Sequence, residues 1–278
     1  MERGSDVLET TSAYGLKLLV PTHDSGVGQS LRENGEFARI EVEIIKELLD
    51  GGVLIDVGAN IGSIALPVAS AARLVIALEA NRGFANVLAA NALNNSLWNV
   101  SVVHAAVGEA DRLARFPMMP LGAAGNLGTS GFHLAGKYPE EIVCMTTLDR
   151  IAPADTKVVK IDVEGYESSV LKGAQRTLTE IRPTWLVESG EDSPATRAVI
   201  QTFTDAGYLV YWFFAPFVTP RPERGAPPAK MRGDVNILAV PSEGPQPSWE
   251  MNQVVAGGPR PTHVSHFPYL SRFGFNLG

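Results

Sequence analysis

The sequence is poor in several residue types, and each shortage excludes a class of protein. Its 278 residues include a single cysteine, Cys144, which excludes an internal disulfide framework and a thiolate metal cluster. The sequence contains only 23 Lys and Arg residues but 30 Asp and Glu residues. The resulting net charge of −7 argues against general nucleic-acid binding. No apolar run approaches the roughly 20 residues of a membrane helix. The start, MERGSDVLETTSAYG, lacks the apolar core of a signal peptide. We therefore expect a cytoplasmic protein with no membrane span and no nucleic-acid partner.

The remaining composition is that of a globular protein, with 45% hydrophobic and 19% charged residues and no internal repeat. Short apolar segments rich in β-branched residues predict strands buried on both faces. These segments are residues 53–57, 74–78, 100–105, 157–161 and 184–188. Patterns of helical period lie between most of them, at residues 36–50, 82–95 and 165–181. Strands that alternate with helices predict parallel βαβ units with right-handed crossovers.

The end of the chain breaks this alternation. Residues 208–214 and 235–240 resemble two strands joined by a Pro- and Gly-rich loop without a helix, so we expect an antiparallel pair. The predicted fold is α/β: a mostly parallel seven-stranded sheet with a C-terminal antiparallel hairpin and helices on both faces. We divide the chain into an extension (1–35), a ligand-binding domain (36–241) and a tail (242–278). The tail is interpreted as a lid, an oligomer arm or a mobile segment.

A glycine turn follows the first predicted buried strand. The stretch VLIDVGANIG places Asp56, Gly58, Ala59, Asn60 and Gly62 between this strand and a helix. Ligands of open α/β sheets bind beyond the carboxyl ends of the strands, and glycines there allow a close approach of the backbone. The spacing is neither that of dinucleotide binders nor that of a phosphate loop, so a pyrophosphate or triphosphate is not favoured.

An acid ends the next strand, about 20 residues further on, which is the spacing typical of a ribose-binding acid. This residue, Glu79, can accept hydrogen bonds from two ribose hydroxyls. A glycine turn alone is common in α/β proteins, and a single acid is more often solvated. Together, and without a phosphate-binding element, they favour a nucleoside ligand such as S-adenosylmethionine (SAM).

Four stretches make the sequence similar to the FkbM-type methyltransferases, a Rossmann-like class I family. They are VLIDVGANIG (53–62), IALEAN (76–81), KIDVEGYESSVLKGA (160–174) and WLVES (185–189), with NILAV (236–240) like the closing strand. The third stretch is the most specific, whereas Ala80 stands where the family often has proline. The resemblance implies SAM as the cofactor and, most often, O-methylation of a sugar or secondary metabolite. The implied cofactor residues are Asp56, Gly58, Ala59, Asn60, Gly62, Glu79, Ala80, Ala106 and Asp162.

Three acids end the fourth and fifth predicted strands, beside the expected methyl-transfer site. Asp162, Glu164 and Glu188 could hold an acceptor hydroxyl and take its proton, or cap the following helix. The three acids, and Asp162 and Glu188 in particular, could also bind Mg²⁺ through oxygen ligands, as acids do at the same two strand ends in the catechol class of methyltransferases. Lys160 either points into the cleft or pairs with an acid.

Residues for the acceptor must come from the more variable segments, and small-molecule and glycan acceptors both remain open. Candidates are Asn126, Thr129 and Ser130 in a glycine-rich loop and Trp212 in an aromatic stretch, with a surface turn and core packing as the alternatives. A basic loop is interpreted as an anion site or a solvated segment. It contains Arg221, Arg224, Lys230 and Arg232. A homo-oligomer is also left open.

Other functions remain as alternatives to O-methyl transfer. Transfer to nitrogen is weakened because the fourth strand end lacks the Asn/Asp-Pro-Pro-aromatic motif of some amino-group methylators. Transfer to carbon stays open. A nicotinamide oxidoreductase is disfavoured by the glycine spacing, and an inactive SAM-fold interaction module by the intact Asp56, Gly58, Gly62 and Glu79.

Overall fold

The structure, a computed structural model, describes residues 5–189, 193–220, 232–255 and 258–277. The strands are β1 (Val7–Thr11), β2 (Lys17–Pro21), β3 (Val53–Val57), β4 (Leu74–Glu79), β5 (Val100–His104), β6 (Ala106–Val107), β7 (Arg112–Pro117), β8 (Glu140–Thr146), β9 (Thr156–Ile161), β10 (Thr184–Glu188), β11 (Tyr208–Pro216) and β12 (Gly233–Pro241). The helices are α1 (Val27–Asn34), α2 (Arg39–Leu49), α3 (Ala65–Val68), α4 (Arg82–Asn94), α5 (Leu148–Ile151), α6 (Glu167–Lys172) and α7 (Pro194–Asp205). In this part of the chain no helix is long and apolar enough to cross a membrane.

A seven-stranded sheet forms the centre of the molecule, in the order β11-β12-β10-β9-β3-β4-β5. The pairs from β10 to β5 are parallel, whereas β12 runs antiparallel to both β10 and β11. Every residue of β3 is buried, because this strand lies in the middle of the sheet with both faces covered. The predicted sheet and its terminal hairpin are confirmed, with each strand boundary within two residues of the prediction.

The strand order places the ligand site. From β3 the chain proceeds outward to β4 and β5, and from β9 it proceeds in the opposite direction to β10. Right-handed crossovers therefore put the connecting helices on opposite faces of the sheet. The carboxyl ends of β3 and β9 meet where the order reverses, which is where open α/β sheets bind ligands.

One predicted helix, at residues 165–181, is interrupted. It begins as α6 and resumes as a π-helical turn at Thr177–Ile181. The carboxylate of Asp149 accepts hydrogen bonds from the backbone N–H groups of Arg176, at 2.9 Å, and Thr177, at 2.8 Å. These two N–H groups therefore do not form regular α-helical hydrogen bonds. The contact with Asp149 interrupts the helix that the hydrophobic pattern predicts.

A small second sheet, in the order β6-β8-β7, lies between β5 and β9 in the sequence. Strands β6 and β7 flank a turn near residue 110, but the two strands do not pair with each other. Instead β8 lies between them, parallel to β6 and antiparallel to β7. Strand β8 was not predicted from the sequence.

Both terminal segments pack onto the central domain. Strands β1 and β2 form an antiparallel hairpin, which α1 follows. In the tail, the backbone oxygen of Asn252 accepts a hydrogen bond from the N–H of Trp212 at 3.0 Å. The N–H of Val254 donates to the oxygen of Val210 at 2.7 Å, so the tail pairs with the outer edge of β11. The domain boundaries after residues 35 and 241 stay a prediction.

Candidate functional site

An open cavity lies at the carboxyl ends of the parallel strands. Most of the residues predicted to bind ligands line it. They are Asp56, Gly58, Ala59, Asn60, Glu79, Ala80, Ala106, Asn126, Thr129, Ser130, Lys160, Asp162, Glu164 and Glu188. Gly62 and Trp212 do not belong to the described wall of the cavity. The structure therefore brings the glycine turn, the predicted ribose acid and the strand-end acids into one site.

The glycines are required by the packing of the turn itself. Gly58 has φ of 84°, and a Cβ atom there would lie 1.8 Å from the carbonyl oxygen of Asp162. Gly62 has φ of 91°, and a Cβ atom there would lie 2.4 Å from the side chain of Leu88. Gly62 packs against α4 and is not part of the described cavity wall, and its predicted cofactor contact stays a prediction.

Glu79 is fixed by two backbone hydrogen bonds at the end of β4. Its Oε2 accepts from the N–H of Asn60 at 2.9 Å, and its Oε1 accepts from the N–H of Asn81 at 2.7 Å. Burial raises the pKa of Glu79 to about 7, although both hydrogen bonds act to lower it. Each carboxylate oxygen keeps a second lone pair, so Glu79 can still accept hydrogen bonds from a ligand.

Lys160 combines both predicted alternatives, since it lines the cavity and pairs with acids. Its Nζ lies 2.9 Å from Oδ2 of Asp162, 3.8 Å from Oε1 of Glu41 and 3.9 Å from Oδ1 of Asp56. Burial lowers the pKa of Lys160, but the surrounding carboxylates outweigh burial and raise it overall. The ammonium group therefore stays charged and holds Asp162 in place.

Two of the acids around Lys160 are deeply buried. Burial raises the pKa of Glu41 to about 8 and that of Asp56 to about 6, despite the attraction of Lys160. Oε1 of Glu41 and Oδ1 of Asp56 have no hydrogen-bond partner among the described residues. One lysine is thus shared by several carboxylates.

The three strand-end acids converge. One oxygen from each of Asp162, Glu164 and Glu188 lies within 4.8 Å of the others. The negative charge of Asp162, followed by burial, raises the pKa of Glu188 far above its ordinary range. Burial raises the pKa of Glu164 to about 7, and Asp162 adds to this effect. The cluster therefore favours a proton or a cation between its members, and carboxylate oxygens are ligands suited to Mg²⁺.

The glycine-rich loop contributes local hydrogen bonds as well as cavity wall. Oδ1 of Asn126 accepts from the N–H of Gly128 at 3.0 Å, and Oγ1 of Thr129 donates to the oxygen of Asn126 at 2.9 Å. Oγ of Ser130 accepts from Nδ2 of Asn81 at 3.4 Å. These predicted acceptor residues form a structured turn beside the cavity.

Two other predictions for the acceptor are corrected or stay untested. Trp212 is 5% exposed on β11 and packs in the core, so it is not placed to stack on an acceptor in the cavity. Arg221, Arg224 and Lys230 lie outside the described residues. Arg232 is described, but it does not line the cavity.

Several residues of the cavity wall were not predicted from the sequence. Glu41 lies on the buried side of α2, and Asp234 and Asn236 lie on β12. A polar residue inside an apolar helical or strand pattern was the available signal for Glu41 and Asn236. Aromatic side chains were also missed. They are Phe37, Phe116, Phe132, Tyr166 and Phe217.

The site fits a nucleoside cofactor. Glu79 retains free lone pairs at the cavity wall, and Asp56 has a buried oxygen without a hydrogen-bond partner among the described residues. The rings of Phe132 and Tyr166, with centroids 4.7 Å apart, add an apolar surface on the side of Ala106. Polar groups at one end and apolar groups along the wall match the mixed character of such a ligand.

The chain is similar to known methyltransferases in sequence and in structure. The Methyltransferase FkbM domain matches residues 56–210, which is more than half of the chain, whereas no curated protein matches. A SAM-dependent methyltransferase from Agrobacterium tumefaciens has a TM-score of 0.50 at 9% identity, covering 87% of this chain and 72% of that one. The FkbM methyltransferase from Methylobacillus flagellatus KT has a TM-score of 0.45 at 19% identity, covering 68% of this chain but only 44% of that one. Precorrin-6y C5,15-methyltransferase from Geobacter metallireducens GS-15 has a TM-score of 0.47 at 18% identity, covering 74% of this chain and 87% of that one.

The matched region contains the features that the cavity brings together. It includes the glycine turn after β3, the acid Glu79 and the strand-end acids of β9 and β10. The likeness to the Agrobacterium structure shows the Rossmann-like fold. The chain therefore belongs to the FkbM methyltransferase family and is a SAM-dependent methyltransferase.

Proposed function

We propose that this methyltransferase transfers the methyl group to a hydroxyl oxygen of a small metabolite, natural product or saccharide. The observation that carries the proposal is the convergence of Asp162, Glu164 and Glu188 in the same cavity as the glycine turn. A hydroxyl acceptor must lose its proton during the reaction, and a carboxylate within hydrogen-bonding distance is a suitable base.

We assign the cofactor to the part of the cavity wall that contains Asp56, Gly58 and Glu79. In this proposal Glu79 accepts hydrogen bonds from the ribose hydroxyls, while Ala80 and Ala106 flank the base. Asp162 lies at the boundary between the cofactor and the acceptor, because its backbone contacts the turn at Gly58. When bound, SAM supplies an electrophilic methyl group on a positively charged sulfur.

The acceptor end is assigned to the strand-end acids. The carboxylate of Asp162 accepts the hydrogen bond of the acceptor hydroxyl and takes its proton, and Glu188 provides a second hydrogen-bonding group for that hydroxyl. Lys160, 2.9 Å from Oδ2 of Asp162, fixes the direction of that carboxylate. Such alignment of the acceptor oxygen can contribute several kcal/mol to the lowering of the barrier. The loop with Asn126, Thr129 and Ser130 would contact the more distant part of the acceptor.

The charge of the cavity wall restricts the chemical class of acceptor that can bind. Among the residues that the structure describes, seven carboxylates and one ammonium group line it. They are Glu41, Asp56, Glu79, Asp162, Glu164, Glu188 and Asp234, against Lys160. A phosphate or carboxylate on the acceptor would be repelled, so a neutral or positively charged compound is favoured.

The test is methylation of a panel of hydroxylated saccharides and natural products, each paired with an analogue whose hydroxyl is replaced by an amine. We expect O-methylated product and S-adenosylhomocysteine in equal amounts, detected by mass spectrometry and by the NMR shift of the methyl ether. Asp162→Asn and Glu188→Gln should lower turnover by about 10²–10⁴-fold. Glu140→Gln, at an exposed site on β8, is the matched control.

Two results would contradict the proposal. One is methylation at nitrogen or carbon, which would move the enzyme to the alternatives left open by the sequence. The other is full turnover in each of the acid variants, which would make the acid cluster a structural feature. The cofactor assignment would survive both results.

A further inference from the structure

We propose that Asp162, Glu164 and Glu188, together with the side-chain oxygen of Asn236, bind one divalent cation of the Mg²⁺ type. The inference deepens the proposed function and rests on it, because the site lies at the acceptor end of the same cavity. Mg²⁺ at the three strand-end acids was already an alternative from the sequence, whereas Asn236 enters as a ligand only from the structure.

The carboxylates have a spacing suited to a shared ion. Oxygens of the three acids lie within 4.8 Å of one another, which matches ligand oxygens placed around one ion at roughly 2.0–2.6 Å. The ligands come from separate strands, with Asp162 and Glu164 following β9 and Glu188 ending β10. An ion between them would remove the repulsion between adjacent carboxylates.

The side-chain oxygen of Asn236 supports the cation site independently of the three acids. Asn236 is 5% exposed and lines the cavity, yet its Oδ1 has no hydrogen-bond partner among the described residues. It lies directly opposite Glu188 in the antiparallel β10–β12 pair. Opposed residues have Cβ atoms about 4.5–5.5 Å apart on the same face of the sheet. A buried amide oxygen without a partner is unfavourable, and a cation bound beside Glu188 would satisfy it.

Lys160 does not remove the need for a cation. Its ammonium lies near Glu41 and Asp56 as well as Asp162, so its single charge is divided among three acids. Asp234, also in the cavity wall, adds a further carboxylate beside the cluster. Within the described wall, Lys160 therefore forms ion pairs with Glu41, Asp56 and Asp162 but with neither Glu164 nor Glu188.

The ligand set indicates the kind of cation. Three carboxylates and an amide oxygen are hard ligands, which favour Mg²⁺, Mn²⁺ or Ca²⁺ over metals that prefer imidazole or thiolate. Mg²⁺ takes about six oxygen ligands, so four protein ligands leave positions for water or for the acceptor hydroxyl. A hydroxyl bound there would have a lowered pKa, which serves O-methyl transfer.

The test is direct binding of Mn²⁺ to the full chain after treatment with EDTA, followed by electron paramagnetic resonance and calorimetry. We expect one Mn²⁺ per chain, displaced by Mg²⁺. Glu188→Gln and Asn236→Leu should weaken binding by about tenfold or more, and Asn236→Asp should strengthen it because it adds a negative charge. Glu140→Gln should bind as the unaltered chain does. Circular dichroism checks folding, and Asn236→Asp keeps the test valid if Asn236→Leu does not fold.

The absence of saturable Mn²⁺ binding, or equal affinity in Glu188→Gln, Asn236→Asp and Glu140→Gln, would overturn the cation site. Titration of the same samples with SAM separates this result from a failure of the proposed function. SAM binding without Mn²⁺ binding removes only the cation site. Mn²⁺ binding that responds to the Asn236 and Glu188 variants, without SAM binding, would support the cation site but contradict the proposed function.

Discussion

At Glu79, burial and hydrogen bonding act in opposite directions on one carboxylate, and burial prevails with a pKa of about 7. Ribose hydroxyls donate to the charged form, so SAM binding should lower this pKa and release a proton. We therefore expect SAM affinity to fall as pH decreases below about 7, by at most about tenfold per pH unit. Calorimetric titration with SAM between pH 6 and 8 measures this dependence.

Glu79→Gln is the control for the pH dependence. The variant keeps the size of the side chain but loses the charge, so SAM affinity at pH 8 should fall by roughly 10–100-fold. Its affinity should no longer change between pH 6 and 8. Persistence of the pH dependence in this variant would show that a different group titrates.

The buried ion cluster gives a stability prediction. Lys160→Met leaves Glu41 and Asp56 buried without a positive partner, which should cost about 3–5 kcal/mol of unfolding free energy. In the double variant Lys160→Met/Glu41→Gln, part of this loss should be recovered because one buried acid is removed. Urea unfolding of the single and double variants measures both effects. Unchanged stability of Lys160→Met would contradict the assigned role of the lysine.

At the residue scale, cavity residues at the ends of the parallel strands could be predicted from the sequence. Cavity residues on other elements, such as α2, could not. Asp162 and Glu188 were found because the carboxyl ends of parallel strands meet at one edge. Glu41 was missed because its polar position within the apolar pattern of α2 does not by itself show that the side chain faces β9. The role of Gly62 could not be read from the sequence, because a glycine required by helix packing has the same sequence pattern as one required by a ligand.

At the element scale, Asp24 joins the N-terminal segment to the glycine-rich loop. Its Oδ1 accepts from the N–H groups of Gly26 at 2.9 Å and Leu127 at 3.0 Å, and its Oδ2 accepts from that of Gly28 at 2.5 Å. Asp24→Ala should loosen the loop, so the amide of Leu127 should exchange its hydrogen about tenfold faster or more. Hydrogen-exchange NMR measures this rate.

Thr129→Ala is the control for this loop, because it removes only a hydrogen bond within the turn. The variant should leave the exchange of Leu127 close to its original rate. If Asp24→Ala also leaves that rate unchanged, the loop is held by other contacts. SAM affinity should change little in either variant, because neither side chain lies in the cofactor part of the wall.

Strands and helices could be predicted where a clear hydrophobic pattern lies within the segment itself. The parallel strands are continuous apolar runs, and their buried position follows from that pattern. Strand β8 is half exposed along its length and pairs with β6 and β7, which are distant in sequence. The interruption after α6 depends on Asp149, whose contact with Arg176 no helical period shows.

At the scale of the whole molecule, the tail completes the central sheet. Residues 252–254 pair with β11, and the Oη of Tyr269 both accepts from the N–H and donates to the oxygen of Phe214. Open strand edges promote association between chains. We predict that truncation after Pro241 lowers thermal stability and produces concentration-dependent oligomers, measured by analytical ultracentrifugation.

A milder variant separates edge pairing from the loss of the whole tail. Tyr269→Phe removes only the hydroxyl, so it should cost about 1 kcal/mol or slightly more and leave the oligomeric state unchanged. A truncated chain that is as stable and as dispersed as the full chain would contradict the structural role of the tail. That the full chain forms a homo-oligomer stays a prediction from the sequence, and analytical ultracentrifugation of the full chain tests it.

The most direct test of the central claim is calorimetric titration of the full chain with SAM, S-adenosylhomocysteine and NAD, with and without Mg²⁺. We predict that SAM and S-adenosylhomocysteine bind at one site per chain, that NAD does not bind, and that Glu79→Gln weakens both interactions. Binding of NAD alone, or SAM binding that is indifferent to Glu79→Gln, would contradict the assignment of the glycine turn and of the cavity built around it.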